Sequence, residues 1–260
     1  GALIGISAAL ILGLYQTRDV WGAKLRAPFD WRKWLGRVIP LTLGLGTFQF
    51  IFSVDMIIVR ALFGEHQTGY YSFSGMIGRG LVMFTAPLVA VMFPKVVQSA
   101  VQKQKTNLLF LTLISTAILG AIAATFCTLT CKFMIYALHN PEQVKGFIPE
   151  PILQVILKHP EVITSIGTMI PWFVWCMLPL SLANVLLNNL LARMEYRVVS
   201  YLIVLVALYA TVEVIFGSSF IRVIQILGIF NLLYLIILAI FTKIAKAGIP
   251  QNISTILTIS

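Results

Sequence analysis

Long apolar runs separated by short polar breaks make up almost the whole chain. Runs over residues 38–62, 70–94, 107–138, 163–192, 198–218 and 220–242 each reach the ~20 apolar residues that span a bilayer as a helix, and a shorter one, 1–15, opens the sequence. This pattern predicts an all-α integral membrane protein, a helical bundle of about seven membrane segments. Residues 1–16 read as the end of a truncated span, which makes the chain a fragment of a longer protein. Residues 17–37 form a basic linker with Trp21, Trp31 and Trp34 at headgroup level, suited to an amphipathic surface helix. A six-helix bundle over 38–243 and a short polar tail over 244–260 follow.

Composition agrees with the pattern. Hydrophobic residues are 59% of the chain and charged residues 11%, against about 25% charged in a soluble domain. The net charge of +10 would suit nucleic acid, but its distribution argues for topology instead. Thirteen Lys/Arg fall in alternate connections (18–37, 95–105, 193–197 and 243–246) and four (Lys132, Lys145, Lys158 and Arg222) on the other side. By the positive-inside rule the richer side is cytoplasmic, which makes the loop over 139–161 external. Its segment 152–156, between prolines, suits a short surface helix, and His139 and His159 read as solvated. Cys127, Cys131 and Cys176 read as small packing residues. No catalytic constellation, nucleotide loop or metal-ligand spacing is present, so the reading is a non-enzyme with no cofactor and no metal.

The candidate chemistry lies in polar residues inside the spans. A charge at mid-bilayer costs at least ~2.5–3.5 kcal/mol, so such residues face a bundle interior or a wet cavity. Asp55, Arg60 and Arg79 are the charged candidates, and Gln49, Asn184 and Asn188 the polar ones. With the hairpin turn centred on His66, Asp55 lies eleven residues before it and Arg79 thirteen after, which predicts nearly equal depth. Two readings stay open: a structural ion pair, or the lining of a transport pathway. Asp55 and Arg60 are about 140° apart around their helix and do not pair. Pro40 is expected in the first turn of its span, and Pro87 at a kink. Pro171 and Pro179 interrupt the fifth span, whose Asn184 and Asn188 either wall a cavity or bond to a neighbouring helix. Glu213 and Arg222 straddle the turn at 217–219 and are expected to pair near the interface.

The order of an in-membrane Asp55, then VRALFGEHQTGYYSFSGMIGRG, Pro87 mid-span and the closing Phe93-Pro94-Lys95 resembles the polysaccharide flippases of the multidrug/oligosaccharidyl-lipid/polysaccharide exporter superfamily. In those proteins the pattern marks the first hairpin of the C-terminal six-helix bundle. The resemblance implies a multi-pass protein of the cytoplasmic membrane that exports lipid-linked oligosaccharide by alternating access around a cationic cavity. Arg79 and Arg60 would meet a pyrophosphate headgroup, and Asp55 would hold Arg79 or take a coupling proton. It further implies membrane lipids and an N-terminal bundle of the same protein as partners, and no nucleic acid. Drug or cation export by the same superfamily ranks second, a non-transporting membrane scaffold third and a glycan polymerase fourth.

Overall fold

The computed structural model describes residues 2–16, 30–101, 108–144, 157–158 and 160–247. Among them every regular element is a helix: α1 (Ala2–Gln16), α2 (Trp31–Leu62), α3 (Glu65–Val101), α4 (Leu108–His139), α5 (Pro141–Val144), α6 (Pro160–Ala192), α7 (Arg197–Phe216) and α8 (Phe220–Ala247). Six of these, α2, α3, α4, α6, α7 and α8, contain stretches long and apolar enough to cross a membrane. The protein is an all-α, multi-pass membrane bundle.

The chain divides into two compact units, residues 1–39 and 40–260. In the first, α1 has only 15 residues, about 22 Å of helix, which is short of a hydrocarbon core. Residues 31–37, read in the sequence as part of the linker, are already helical and run on into the span. Asp30 starts that helix as its N-cap: its Oδ1 accepts the Lys33 amide at 3.2 Å, and its carboxylate pairs with Lys33 Nζ at 3.3 Å. The amide bond and the lysine charge hold the exposed Asp30 carboxyl below the usual range. Because α2 starts at Trp31, Pro40 lies inside the helix and not in its first turn. The expected surface helix at 152–156 lies outside the described residues.

In the second unit α6 is the central helix, packed on by α3, α4 and α8. Lipid tails are as apolar as leucine, so helices associate through close packing of small residues rather than by excluding water. The contacts show this directly. Gly78 of α3 receives Phe173, Gly120 of α4 receives Leu178, and Gly228 of α8 receives Cys176. In return, Gly167 of α6 takes Ile135 of α4. On α4 a stripe of small residues, Thr112, Thr116, Gly120, Ala124 and Cys131, is buried. The opposite stripe, Ile114, Ile118, Ile122, Phe126, Leu129 and Phe133, is exposed and suits lipid. Helix α2 joins through Gly44, set against Leu191 and Val199, and through Thr47, whose hydroxyl lies 3.1 Å from Tyr234 Oη.

Polar groups inside the spans are mostly satisfied locally, as a bilayer demands. Thr125, Thr128, Thr130, Thr211 and Thr242 donate to carbonyls four residues earlier. Asn231 of α8 donates to Cys176 O at 2.9 Å, beside the stretch of α6 where Pro179 lacks a donor. The tight turn after α6 is a Schellman ending. Met194 holds φ 59°, its amide bonds Leu191 O, and Glu195 N bonds Leu190 O.

Candidate functional site: a buried acid–arginine cluster

Helix α2 turns Ile51, Phe52, Asp55, Ile58 and Val59 inward and leaves Gln49, Phe50, Ile57 and Arg60 outside. Helix α3 buries Tyr71, Gly75, Gly78, Arg79, Val82 and Thr85 at the three- and four-residue spacing of one face. Two charges thereby enter the same interface: Asp55 is fully buried and Arg79 is 7% exposed.

They form a closed ion pair. Arg79 Nη2 lies 2.6 Å from both Asp55 oxygens, and Arg79 Nε donates to the Phe52 carbonyl at 2.7 Å. Tyr71 Oη donates to Asp55 Oδ2 at 2.8 Å. The guanidinium carbon also stands 5.8 Å from the centre of the Phe52 ring, within cation–π range. Phe173 of α6 closes the site against Tyr71, edge to face at 4.9 Å. Arg79 Nη1, although buried, has no hydrogen-bond partner. It lies over Gly75, where a Cβ would approach it to 2.6 Å, so that glycine makes room for the guanidinium.

Equal depth is corrected by the structure. The turn falls at Phe63 and Gly64, placing Asp55 seven residues from the end of α2 and Arg79 fourteen from the start of α3, about 10 and 21 Å of helix. The difference is bridged because a helical side chain leans toward its own N-terminus, which for Arg79 is the hairpin end.

A third ionisable group joins this neighbourhood. Glu213 of α7 is fully buried, and neither carboxyl oxygen has a hydrogen-bond partner. It interacts electrostatically with Asp55 and Arg79. Tyr209 Oη, one turn earlier on the same face, approaches it without reaching hydrogen-bond geometry. The expected pairing of Glu213 with Arg222 does not form. Arg222 is exposed and donates through Nη1 to Ser218 Oγ at 2.8 Å, one turn back on its own side of the chain reversal, whereas Glu213 faces the interior.

The other sequence candidates stand apart from the cluster. Gln49 is exposed and donates to Ser53 Oγ at 3.2 Å. Asn188 Nδ2 donates to Asn184 O and Oδ1 at 2.9 and 2.8 Å, so these amides serve each other along α6. Arg60 is exposed and makes no described hydrogen bond or ion pair. It lines a groove of about 640 Å³ with Met56, Ile57, Thr68, Gly69 and Ser72. The two hydroxyls there are already donated, from Thr68 to Gly64 O and from Ser72 to Met56 Sδ, which leaves Arg60 as the lining's charged donor. Sequence reasoning missed Tyr71, Tyr209 and Glu213 as partners. The signal for Glu213 was its place four residues after Tyr209, continuing the buried line Leu202, Leu205, Val206, Tyr209.

Among the described residues no three His, Cys, Asp or Glu side chains gather as a metal site. No protein-family model matches the chain, and neither a curated protein nor a solved structure is similar to it.

Proposed function

We propose that this bundle moves an anionic, lipid-linked glycan precursor across the cytoplasmic membrane by alternating access. The observation that carries the reading is Arg60: an exposed cation with no ion pair among the described residues, in a groove it lines with Met56, Ile57, Thr68, Gly69 and Ser72. A phosphate headgroup would accept from the planar guanidinium fork, while the prenyl chain would follow exposed apolar side chains such as Ile57 and Phe73. Arg79 is held in reserve by Asp55 and becomes available to the headgroup only when that pair opens. The resemblance carried by the hairpin supports the same substrate class and adds a second helical bundle as the body against which this one rocks. A cation in the groove disfavours export of cationic drugs. The closure of the Asp55–Arg79 pair favours a second reading, a membrane scaffold in which the pair only holds two helices together.

Binding separates the two. In nanodiscs, the full chain should take up a short-chain polyprenyl phosphate and discriminate against the uncharged polyprenol. Arg60→Gln should weaken the phosphate about 10- to 100-fold, from the ~1.5–3 kcal/mol of a hydrogen bond to a charged group. Equal binding of both lipids, unchanged by the substitution, would refute the transport reading and leave the scaffold.

A further inference from the structure

We propose that Glu213 is a proton-binding site, coupled to the Asp55–Arg79 pair by competition for the one buried cation. The observation is an imbalance: two acids, Asp55 and Glu213, share a buried neighbourhood with a single guanidinium, and the structure gives that guanidinium wholly to Asp55. An ionised carboxylate buried with no hydrogen bond on either oxygen would cost several kcal/mol. In this conformation Glu213 therefore carries its proton and adds no charge to the cluster. The groups that face it are Asp55 from α2, Arg79 and Tyr71 from α3, and Tyr209 on its own helix. None of these other than Arg79 offers a positive charge, and no titratable group of α6 or α8 joins the set among the described residues.

The exchange is balanced. When Glu213 loses its proton to water, the O–H bond breaks and the electron pair stays on the carboxylate. The buried neighbourhood then holds two negative charges and one positive, and is relieved when the proton passes to Asp55 or returns to Glu213. Arg79 pairs with whichever acid is ionised. Its Nη1, buried and without a partner, is the donor that has nothing to lose in the change. Each re-pairing of Arg79 thus moves one proton from one acid to the other, the cluster holding one proton before and after, and the contact between α2 and α3 is traded for one between α3 and α7. This inference does not rest on the glycan reading, because proton binding is measured without a transported substrate.

The test is infrared difference spectroscopy of the full chain in lipid, with carbodiimide labelling as a second measurement. The native protein should show one protonated carboxyl band per chain near neutral pH, and Glu213→Gln should abolish it. A hydrophobic carbodiimide, which reacts with protonated carboxyls in apolar surroundings, should modify Glu213 and leave Asp55 unmodified. Asp55→Asn removes the competing acid and should also abolish the band, since Glu213 then ionises to serve Arg79. A band that survives Glu213→Gln, or an adduct on Asp55 instead of Glu213, would overturn the assignment. So would a native protein with neither band nor adduct. A band that persists in folded Asp55→Asn protein would overturn the exchange.

Discussion

Asp55→Asn is the sharpest test of what holds the hairpin. The change keeps the shape of the side chain, and the amide oxygen can still accept from Tyr71, which donates at 2.8 Å in the native protein. The amide NH2, however, now faces a guanidinium that cannot give up its proton. Arg79 keeps the Phe52 carbonyl at 2.7 Å and the amide oxygen in the Oδ2 position, but loses the Oδ1 acceptor at 2.6 Å and the negative charge. Breaking a buried pair by removing one partner costs about 3–5 kcal/mol when the other charge is stranded, and ionisation of Glu213 to serve Arg79, at the expense of the contact between α2 and α3, offsets only part of that loss. Arg79→Gln should cost a similar amount, with the Asp55 carboxylate stranded. Combining the two leaves no uncompensated charge from the pair, and the double variant should lie within about 1 kcal/mol of native. Unfolding by sodium dodecyl sulfate in mixed micelles, followed by tryptophan fluorescence, measures all three. The reasoning requires a coupling energy above ~2 kcal/mol. Independent sites add to within about 0.5 kcal/mol, so a double variant that loses the sum of the two single losses would refute it. Single losses below ~1 kcal/mol, the range of exposed pairs, would do the same.

Two further outcomes follow from the packing and the cap. Gly78→Ala places a Cβ 2.8 Å from Phe173 Cβ and 3.2 Å from the Phe173 carbonyl carbon; backbone cannot step aside, so the same unfolding assay should show a loss of about 1–3 kcal/mol. Gly80→Ala, whose Cβ meets nothing within 4 Å, should be neutral or stabilising by up to about 1 kcal/mol. At Asp30 the folded helix holds the carboxyl below its unfolded value, so the cap is in place above about pH 4 and is lost as pH falls through the lowered value. Protection of the Lys33 amide, measured as its exchange rate relative to an unstructured amide at the same pH, should fall on that acid side, and in Asp30→Ala it should be low at neutral pH too.

The spans and the inward charges were legible in the sequence for one physical reason. Runs of apolar residues report their own length, and a charge inside such a run must face other protein. The helical angle between Asp55 and Arg60 excluded their pairing with each other, but the expectation that Arg60 also faces the interior is corrected, since Arg60 is exposed. Partner choice was less legible, because it depends on how far each helix rotates and where each turn falls. Moving the turn from His66 to Phe63 and Gly64 changed the relative depth of the two charges. Glu213 and Arg222 are close in sequence and opposite in sign, which made a pairing across the turn attractive. The spacing from Tyr209 to Glu213 carried the decisive information, since it continues a buried line. Nothing in the sequence distinguishes Asn184 and Asn188 bonded to each other from the same residues lining a cavity.

Why the buried cation is an arginine follows from the same geometry. Phe52 and Asp55 are three residues apart on α2, about 4.5 Å along its axis from Cα to Cα, and the carbonyl pointing toward the C-terminus and the side chain leaning toward the N-terminus bring the two acceptors together. Both face α3, and Arg79 serves both at once, Nε on the carbonyl and Nη2 on the carboxylate. A guanidinium presents these donors side by side on one edge of a rigid plane, whereas a lysine ammonium is a point charge that must choose one. The reach matters equally. Arg79 starts deeper along its helix than Asp55 does, and its side chain runs back along α3 toward the hairpin end, past Gly75, where any Cβ would obstruct Nη1. The glycine before it, the carbonyl opposite it and the acid one turn further on thus form a slot that fits a long, flat cation with two donors on one edge. Such a slot explains a tight pair without requiring that it be permanent, because Nη1 remains unpartnered and Glu213 is the second acid within its electrostatic field.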